Sequence, residues 1–353
     1  MENRQRYLSL DILKGIGIIY LIFTHHIVWQ YIQGDAGGLI YPQARSVFRF
    51  FGAGSHILGA QIPLLAGITF VLALQSKSLR LATVFKRALL LAALGYAMNL
   101  FAWGPYAFLD SYDWDVLQLI ALSMSVTGPL IKKLPVAWSA AVLILLGMFA
   151  VGMSDRFPLS KFYDSYFYKM FIGDAEGEHY WPFFPWFALF AAGSVIGALR
   201  ILDDKRKLKG MAVTGLVMVL WSVGAGKFLP VFDYDNFWGP TLFKPAPEFV
   251  IGIIGGSLMW ISLTHLLLAL SPKLARFLEK SGLVYYGVGI LWIYVITTIV
   301  GYHLTVSTQL YFNLDFKDSL ILLPILISIS LMLGLCIGKI TWNLKTVRYS
   351  GAP

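Results

Sequence analysis

The sequence predicts an all-α, polytopic integral membrane protein of about ten transmembrane helices, with both termini in the cytoplasm. Three observations carry this prediction. Of the 353 residues, 58% are hydrophobic and only 13% are charged, about half the charge of an average soluble domain. Apolar stretches close to the roughly 20 residues that a helix needs to cross a bilayer recur along the whole chain. Lysine and arginine also fall unevenly on the two sides of those stretches. A soluble globular enzyme, a disordered chain and a disulfide-stapled secreted module are thereby excluded. The single cysteine, Cys336, cannot form an intrachain disulfide.

In chain order the first five spans are Ile12–Ile32, Gly54–Gln75, Phe85–Trp103, Asp115–Ile131 and Val136–Met153. The second five are Trp181–Ile201, Met211–Phe228, Phe249–Leu270, Leu283–Tyr302 and Leu320–Trp342. Each is too long for a strand, and none shows the apolar–polar alternation of a barrel. The first span is longer than a signal-peptide core and lacks a small-x-small site after it. No internal repeat, low-complexity segment or soluble domain stands out, so residues 1–353 are expected to form one membrane-embedded domain. With the N-terminus inside, 20 of the 28 lysines and arginines lie on the cytoplasmic side. The net charge of +9 reflects this bias. The basic residues are dispersed over short loops instead of forming a stripe, so nucleic acid is not an expected partner. The long loops at 34–53, 154–180 and 227–248 then face outward. The lipid bilayer is the first expected partner and the cell (cytoplasmic, inner) membrane the expected location. A homodimer is among the assemblies such a chain can form.

The first span carries the most informative polar residues. Asp11 and Lys14 lie at its cytoplasmic mouth, and His25 and His26 lie in its outer half. Ionisable groups inside a span are costly and mark functional positions by default. Lys14 and His25 are 11 residues apart, about 20° past three full turns, and so share a face about 16 Å apart. An imidazole suits proton abstraction near neutral pH. A histidine that only hydrogen-bonds a neighbouring helix is the plainer reading. His26 points about 100° away. Asn99 and Tyr96 share a face of the third span, and Asp115 and Gln118 share a face at the outer start of the fourth. His56 and Gln61 mark the start of the second. His265 and His303 sit near span ends, where they can reach water. The tryptophans from Trp181 to Trp186 read as an interfacial belt or as a sugar-stacking platform. No phosphate loop, HExxH motif, zinc-ligand spacing or serine-hydrolase elbow is present, and no metal is expected.

Several stretches resemble membrane acyltransferases. Ser9-Leu-Asp-Ile-Leu-Lys-Gly15, with His25 ten residues on, is similar to the first span of the acyltransferase-3 proteins. The heparan-α-glucosaminide N-acetyltransferase family shares that plan, with asparagine at the position of His25 in its animal members, so the role of His25 follows the acyltransferase-3 pattern. Lys14 stands where acyltransferase-3 members carry arginine. Asp115-Val-Leu-Gln-Leu119-Ile resembles the second family's Val-Leu-Gln-Arg segment, with Leu119 replacing the arginine. Phe184-Pro-Trp-Phe with Gly193, Phe85-Lys-Arg-Ala-Leu-Leu-Leu and Pro63-Leu-Leu-Ala-Gly67 resemble further spans of that family. The resemblance covers residues 6–200 in pieces, and Ser281–Tyr286 more loosely. The stretch matching the loop that holds the animal members' proposed catalytic histidine, Gln33 to Gly38, contains no histidine.

The resemblance implies a transmembrane acyltransferase. It implies that acetyl-CoA, the donor substrate, meets the protein from the cytoplasm and that an amine or hydroxyl of a sugar-type acceptor is acetylated outside. His25 becomes the general base or acyl carrier, with Asp115 beside it as a catalytic residue. Arg6, Lys14, Arg80 and Arg87 become the donor-binding cations. Asp11, His26, His56, Asn99, Gln118 and Trp186 become acceptor contacts. A transporter or flippase without covalent chemistry is the alternative, although the two halves of the chain show no matching broken spans. A relative that binds ligand without turnover is the third reading, because Lys14 and Leu119 replace arginines.

Overall fold

The computed structural model describes residues 7–33, 38–39, 61–76, 79–105, 112–156, 166–173, 181–226, 245–312 and 316–349. Twelve α-helices lie among them. They are α1 (Leu8–Tyr31), α2 (Gln61–Ser76), α3 (Leu81–Ala102), α4 (Val116–Lys133), α5 (Val136–Arg156) and α6 (Tyr166–Ile172). The others are α7 (Phe183–Ala198), α8 (Lys205–Gly224), α9 (Pro247–Leu270), α10 (Pro272–Lys280), α11 (Gly282–Phe312) and α12 (Phe316–Tyr349). Two residue pairs form a small antiparallel ladder after α1, Ile32 with Leu39 and Gln33 with Gly38. The protein is an all-α polytopic membrane protein.

Each expected span has a helix, but the helices differ in kind. Seven are long and apolar enough to cross a membrane: α1, α3, α5, α8, α9, α11 and α12. The helices α2 and α7 have 16 residues each, about 24 Å at 1.5 Å per residue. Sequence reading missed α6 and α10, of seven and nine residues, because a 20-residue hydropathy window averages such short helices away. The lipid-facing surface is written in exposed apolar side chains, such as Leu89 on α3, Trp138 and Leu145 on α5, and Ile321 and Met332 on α12. In lipid these are not a liability, because the solvent is itself apolar.

The chain divides into two compact units. One comprises residues 1–59 and 264–353, the other residues 60–263. In the first, α1 packs along α11, and α11 along α12. The seam between α1 and α11 needs glycine at two points. A Cβ on Gly15 would collide with the Leu283 carbonyl, and one on Gly287 with the Asp11 carbonyl. Such close backbone approach is how membrane helices gain packing without a hydrophobic driving force. Tyr286 of α11 donates its hydroxyl proton to the Leu331 carbonyl of α12.

In the second unit α7 is the core. Thirteen of its 16 residues are buried, with Trp186, Leu189 and Phe190 fully enclosed. It packs against α2, α4, α5 and α6. Here too the seam is a glycine pair: Gly67 of α2 meets the Phe190 carbonyl, and Gly193 of α7 meets the Leu64 carbonyl. Asp115 caps α4 by accepting from the Val116 N–H at 2.6 Å. Asp204 caps α8 through the N–H groups of Arg206 and Lys207, at 2.8 and 3.4 Å. Both caps satisfy amide protons that a helix start leaves unpaired.

Candidate functional site

The two adjacent histidines of α1 have opposite surroundings. His26 is buried, and both of its ring nitrogens are engaged. Nδ1 lies 3.0 Å from Thr305 Oγ1, and Nε2 lies 2.7 Å from Ser330 Oγ. Thr305 donates its own hydroxyl proton to the Gly301 carbonyl at 2.8 Å. Its oxygen then accepts from His26 Nδ1–H, and Ser330 O–H donates to Nε2. A neutral ring satisfies all three bonds, and this network assigns the tautomer. Gly301 leaves room for the ring, since a Cβ there would lie 3.2 Å from its Cε1 and Nε2. His26 thus joins α1, α11 and α12.

His25 is half-buried and sits among aromatic rings. Its centroid is 5.0 Å from that of Trp29 and 6.0 Å from that of Tyr294. Trp29 also stands edge-on to His26 and Tyr302, at 5.5 Å each. No hydrogen-bond partner of the His25 ring lies among the described residues. An imidazole held by ring faces, with its nitrogens uncommitted, is able to take or pass a proton or an acyl group. Trp29 was findable in the sequence, because it lies four residues after His25 on the same helix face. Tyr294, Thr305 and Ser330 were not, because they come from α11 and α12, more than 260 residues away.

At the start of α1, Ser9 Oγ lies 2.9 Å from Nδ1 of His265, and the Tyr7 ring lies beside the same imidazole. His265, expected from its position to reach water, is half-buried and is tied to α1. Asp11 and Lys14 are half-buried on the next turn, and each has interaction partners.

The remaining expected residues belong to the second unit. Asn99 and Gln118 are buried and donate their amide protons to one carbonyl, that of Asp113, at 2.8 and 3.4 Å. The carbonyl oxygens of both amides are buried without a partner among the described residues, as are both polar atoms of Gln61. The Gln118 oxygen lies against α3 at Gly95, where a Cβ would come within 2.6 Å of it. Trp114 Nε1 donates to the Trp181 carbonyl at 2.8 Å. The segment 113–115 is therefore held from three sides. Trp186 is fully enclosed with its ring 4.8 Å from that of Trp181, so Trp181 is the more accessible of the pair. Arg80 and Arg87, before and within the first turns of α3, are exposed. Arg6 and His56 lie outside the described residues, as do most of the long loops. Among the described residues, no group of three metal-ligating side chains occurs.

The family model described as heparan-alpha-glucosaminide N-acetyltransferase, catalytic, matches residues 6–230. No curated protein matches the chain. The match runs from the start of α1, through the histidine pair, and past α8. It takes in every stretch that carried the resemblance in the first seven spans. Since it covers well over half of the sequence, the chain belongs to the heparan-alpha-glucosaminide N-acetyltransferase family, a family of membrane acetyltransferases.

Proposed function

We propose that the protein transfers an acetyl group from cytoplasmic acetyl-CoA to an amine or hydroxyl of a sugar-type acceptor at the outer face of the cell membrane. His25 serves as general base or acyl carrier. The observation that supports this most is the contrast within the histidine pair. His26 is saturated by hydroxyls, whereas His25 has no hydrogen-bond partner among the described residues.

As a base, His25 takes the proton of the acceptor N–H or O–H while the acceptor attacks the thioester carbonyl. The C–S bond breaks, and the departing thiolate takes up a proton. As a carrier, the imidazole itself attacks the thioester and holds the acetyl group until the acceptor displaces it. Lys14, at the cytoplasmic end of α1, and Arg80 and Arg87, at the start of α3, have the charge to meet the donor's phosphates, and Arg6 belongs with them in sequence. Asn99, Gln118 and Asp115 have the acceptor atoms to hold a hydroxyl- or amine-bearing molecule, and Asp11 and His56 belong to the proposed set. His26, with both ring nitrogens engaged, and Trp186, fully enclosed, were expected as acceptor contacts and are packing residues instead. The family match supports an acyltransferase-like domain over residues 6–230, and the proposal extends it to residues 1–353.

The test is acetyl-CoA turnover by detergent-purified protein against a panel of amino sugars and sugar alcohols. A Lys14→Ala, Arg87→Ala variant is expected to lose micromolar acetyl-CoA binding in calorimetry. Folded protein that binds no acetyl-CoA at millimolar concentration would overturn the reading. Uptake of unmodified solute into sealed vesicles would put transport in its place.

A further inference from the structure

The short helix α10 is bracketed by two membrane-spanning helices. The span α9 ends at Leu270, which is 79% exposed, and α11 begins at Gly282. Only Ser271 and Ser281 separate α10 from its neighbours. Pro272 at its first position, and the Ser281 hydroxyl donating to the Leu278 carbonyl at 2.6 Å, fix both ends. So tethered, α10 has to run at the bilayer surface.

Its two faces differ sharply. Leu274, Ala275 and Leu278 turn towards the protein and are half-buried, and α10 packs on α11 and α1. The outward face centres on Phe277, which is 69% exposed. Lys273, four residues before it, and Lys280, three residues after it, flank the ring on the same face. Both are exposed. Arg276 is exposed too and turns its Nε back to the Pro272 carbonyl at 3.4 Å. Glu279 is the only acid in the helix, against three cations. A bare phenylalanine between two lysines is poorly suited to water. It is well suited to the headgroup region, where the ring enters the acyl boundary and the ammonium groups meet phosphate.

We propose that α10 is an interfacial anchor that selects anionic phospholipid in the cytoplasmic leaflet. Phe277 inserts beside the acyl chains, and Lys273 and Lys280 hold the headgroup phosphate. The insertion of Phe277 is what distinguishes a lipid from a soluble phosphate as the occupant. The inference does not depend on the acetyltransferase reading. It places the selective lipid beside α1, so lipid composition has a route to the segment that carries Lys14.

Two measurements test it. The first is native mass spectrometry of protein extracted from vesicles of equal phosphatidylglycerol and phosphatidylcholine. Each cation near an anionic surface contributes about a fivefold preference. Lys273→Gln, Lys280→Gln is therefore expected to lower retained phosphatidylglycerol about twenty-five-fold relative to phosphatidylcholine. A control, Lys132→Gln, Lys133→Gln, removes the same charge at the end of α4, where the two lysines are consecutive and hold no exposed ring between them, and should lower the ratio less than about fivefold. The second measurement uses Phe277→Cys with Cys336→Ser, spin-labelled and reconstituted. The label at position 277 should collide freely with oxygen and poorly with a water-soluble nickel complex. The proposal is overturned by equal retention of the two lipids in the unaltered protein. It is overturned also by a control variant that behaves like the α10 variant, by phosphatidylglycerol displaced by free inorganic phosphate, or by a label at position 277 that sits in water. Matching elution profiles and thermal midpoints show that each variant is folded.

Discussion

Two buried polar clusters, one in each unit, handle polar atoms in a membrane protein differently. In the first, the His26 ring is closed by hydroxyls from two further helices, and each hydroxyl has a defined role. In the second, three buried amides, Gln61, Asn99 and Gln118, have carbonyl oxygens without partners among the described residues. A buried acceptor left dry costs about 1–3 kcal/mol. The first arrangement specifies how three helices meet and is complete as it stands. The second retains capacity for a donor, whether water or the hydroxyl or amine of a ligand. Polarity inside a membrane thus has two uses here, and only the unfinished groups are candidates for chemistry or binding. By that criterion His25 stands apart from His26, although the two are neighbours on one helix.

The largest effect that sharpens this comparison is expected at His25. His25→Ala should lower acetyl transfer by about 10²–10⁴-fold, the usual range for a general base, with the thermal midpoint unchanged. Next come the glycine seams. Gly287→Ala in the first unit and Gly193→Ala in the second each drive a Cβ into a backbone carbonyl that cannot rotate away. Each should cost about 1–3 kcal/mol or more, read as loss of folded protein on denaturant titration. The His26 relay is smaller. A double-mutant cycle over His26→Leu and Ser330→Ala should return a coupling of about 0.6–1.7 kcal/mol, the span seen for hydrogen bonds between membrane helices. A coupling near zero would break the distinction between the two histidines. The smallest effect is at Gly210, exposed on α8, where a Cβ meets nothing within 4 Å. Gly210→Ala should stabilise by up to about 1 kcal/mol through helix propensity.

Much of the architecture was legible in the sequence. Apolar runs of about 20 residues carry their own evidence of burial in lipid, and each corresponds to a helix. What separated α2 and α7 from the lipid-facing helices was not legible. Phe183–Ala198 reads as the most apolar of spans, yet it is short and forms the core of its unit, and hydropathy alone cannot tell lipid from protein as the apolar surroundings. The motif glycines Gly67 and Gly193 were read as marks of resemblance, and their reciprocal contact with each other's helix supplies a physical reason for them. The candidate site was legible to the extent that one helix carries it: Lys14 and His25 follow from periodicity and His26 from its place inside the span, while Trp29, one turn after His25, was open to the same reading but not drawn from it. The difference between His25 and His26 was not, because it depends on Thr305 and Ser330, which the fold alone brings near. The structure also gives Asp115, expected as a catalytic residue, a local role as the cap of α4.

The measurement that tests the central claim most directly pairs turnover with stability for His25→Ala and His26→Ala in purified, reconstituted protein. The account predicts that His25→Ala keeps the thermal midpoint and acetyl-CoA binding but loses at least a hundredfold in acetyl transfer, while His26→Ala lowers the midpoint and keeps measurable turnover in the protein that remains folded. Normal turnover by a normally folded His25→Ala protein would contradict it.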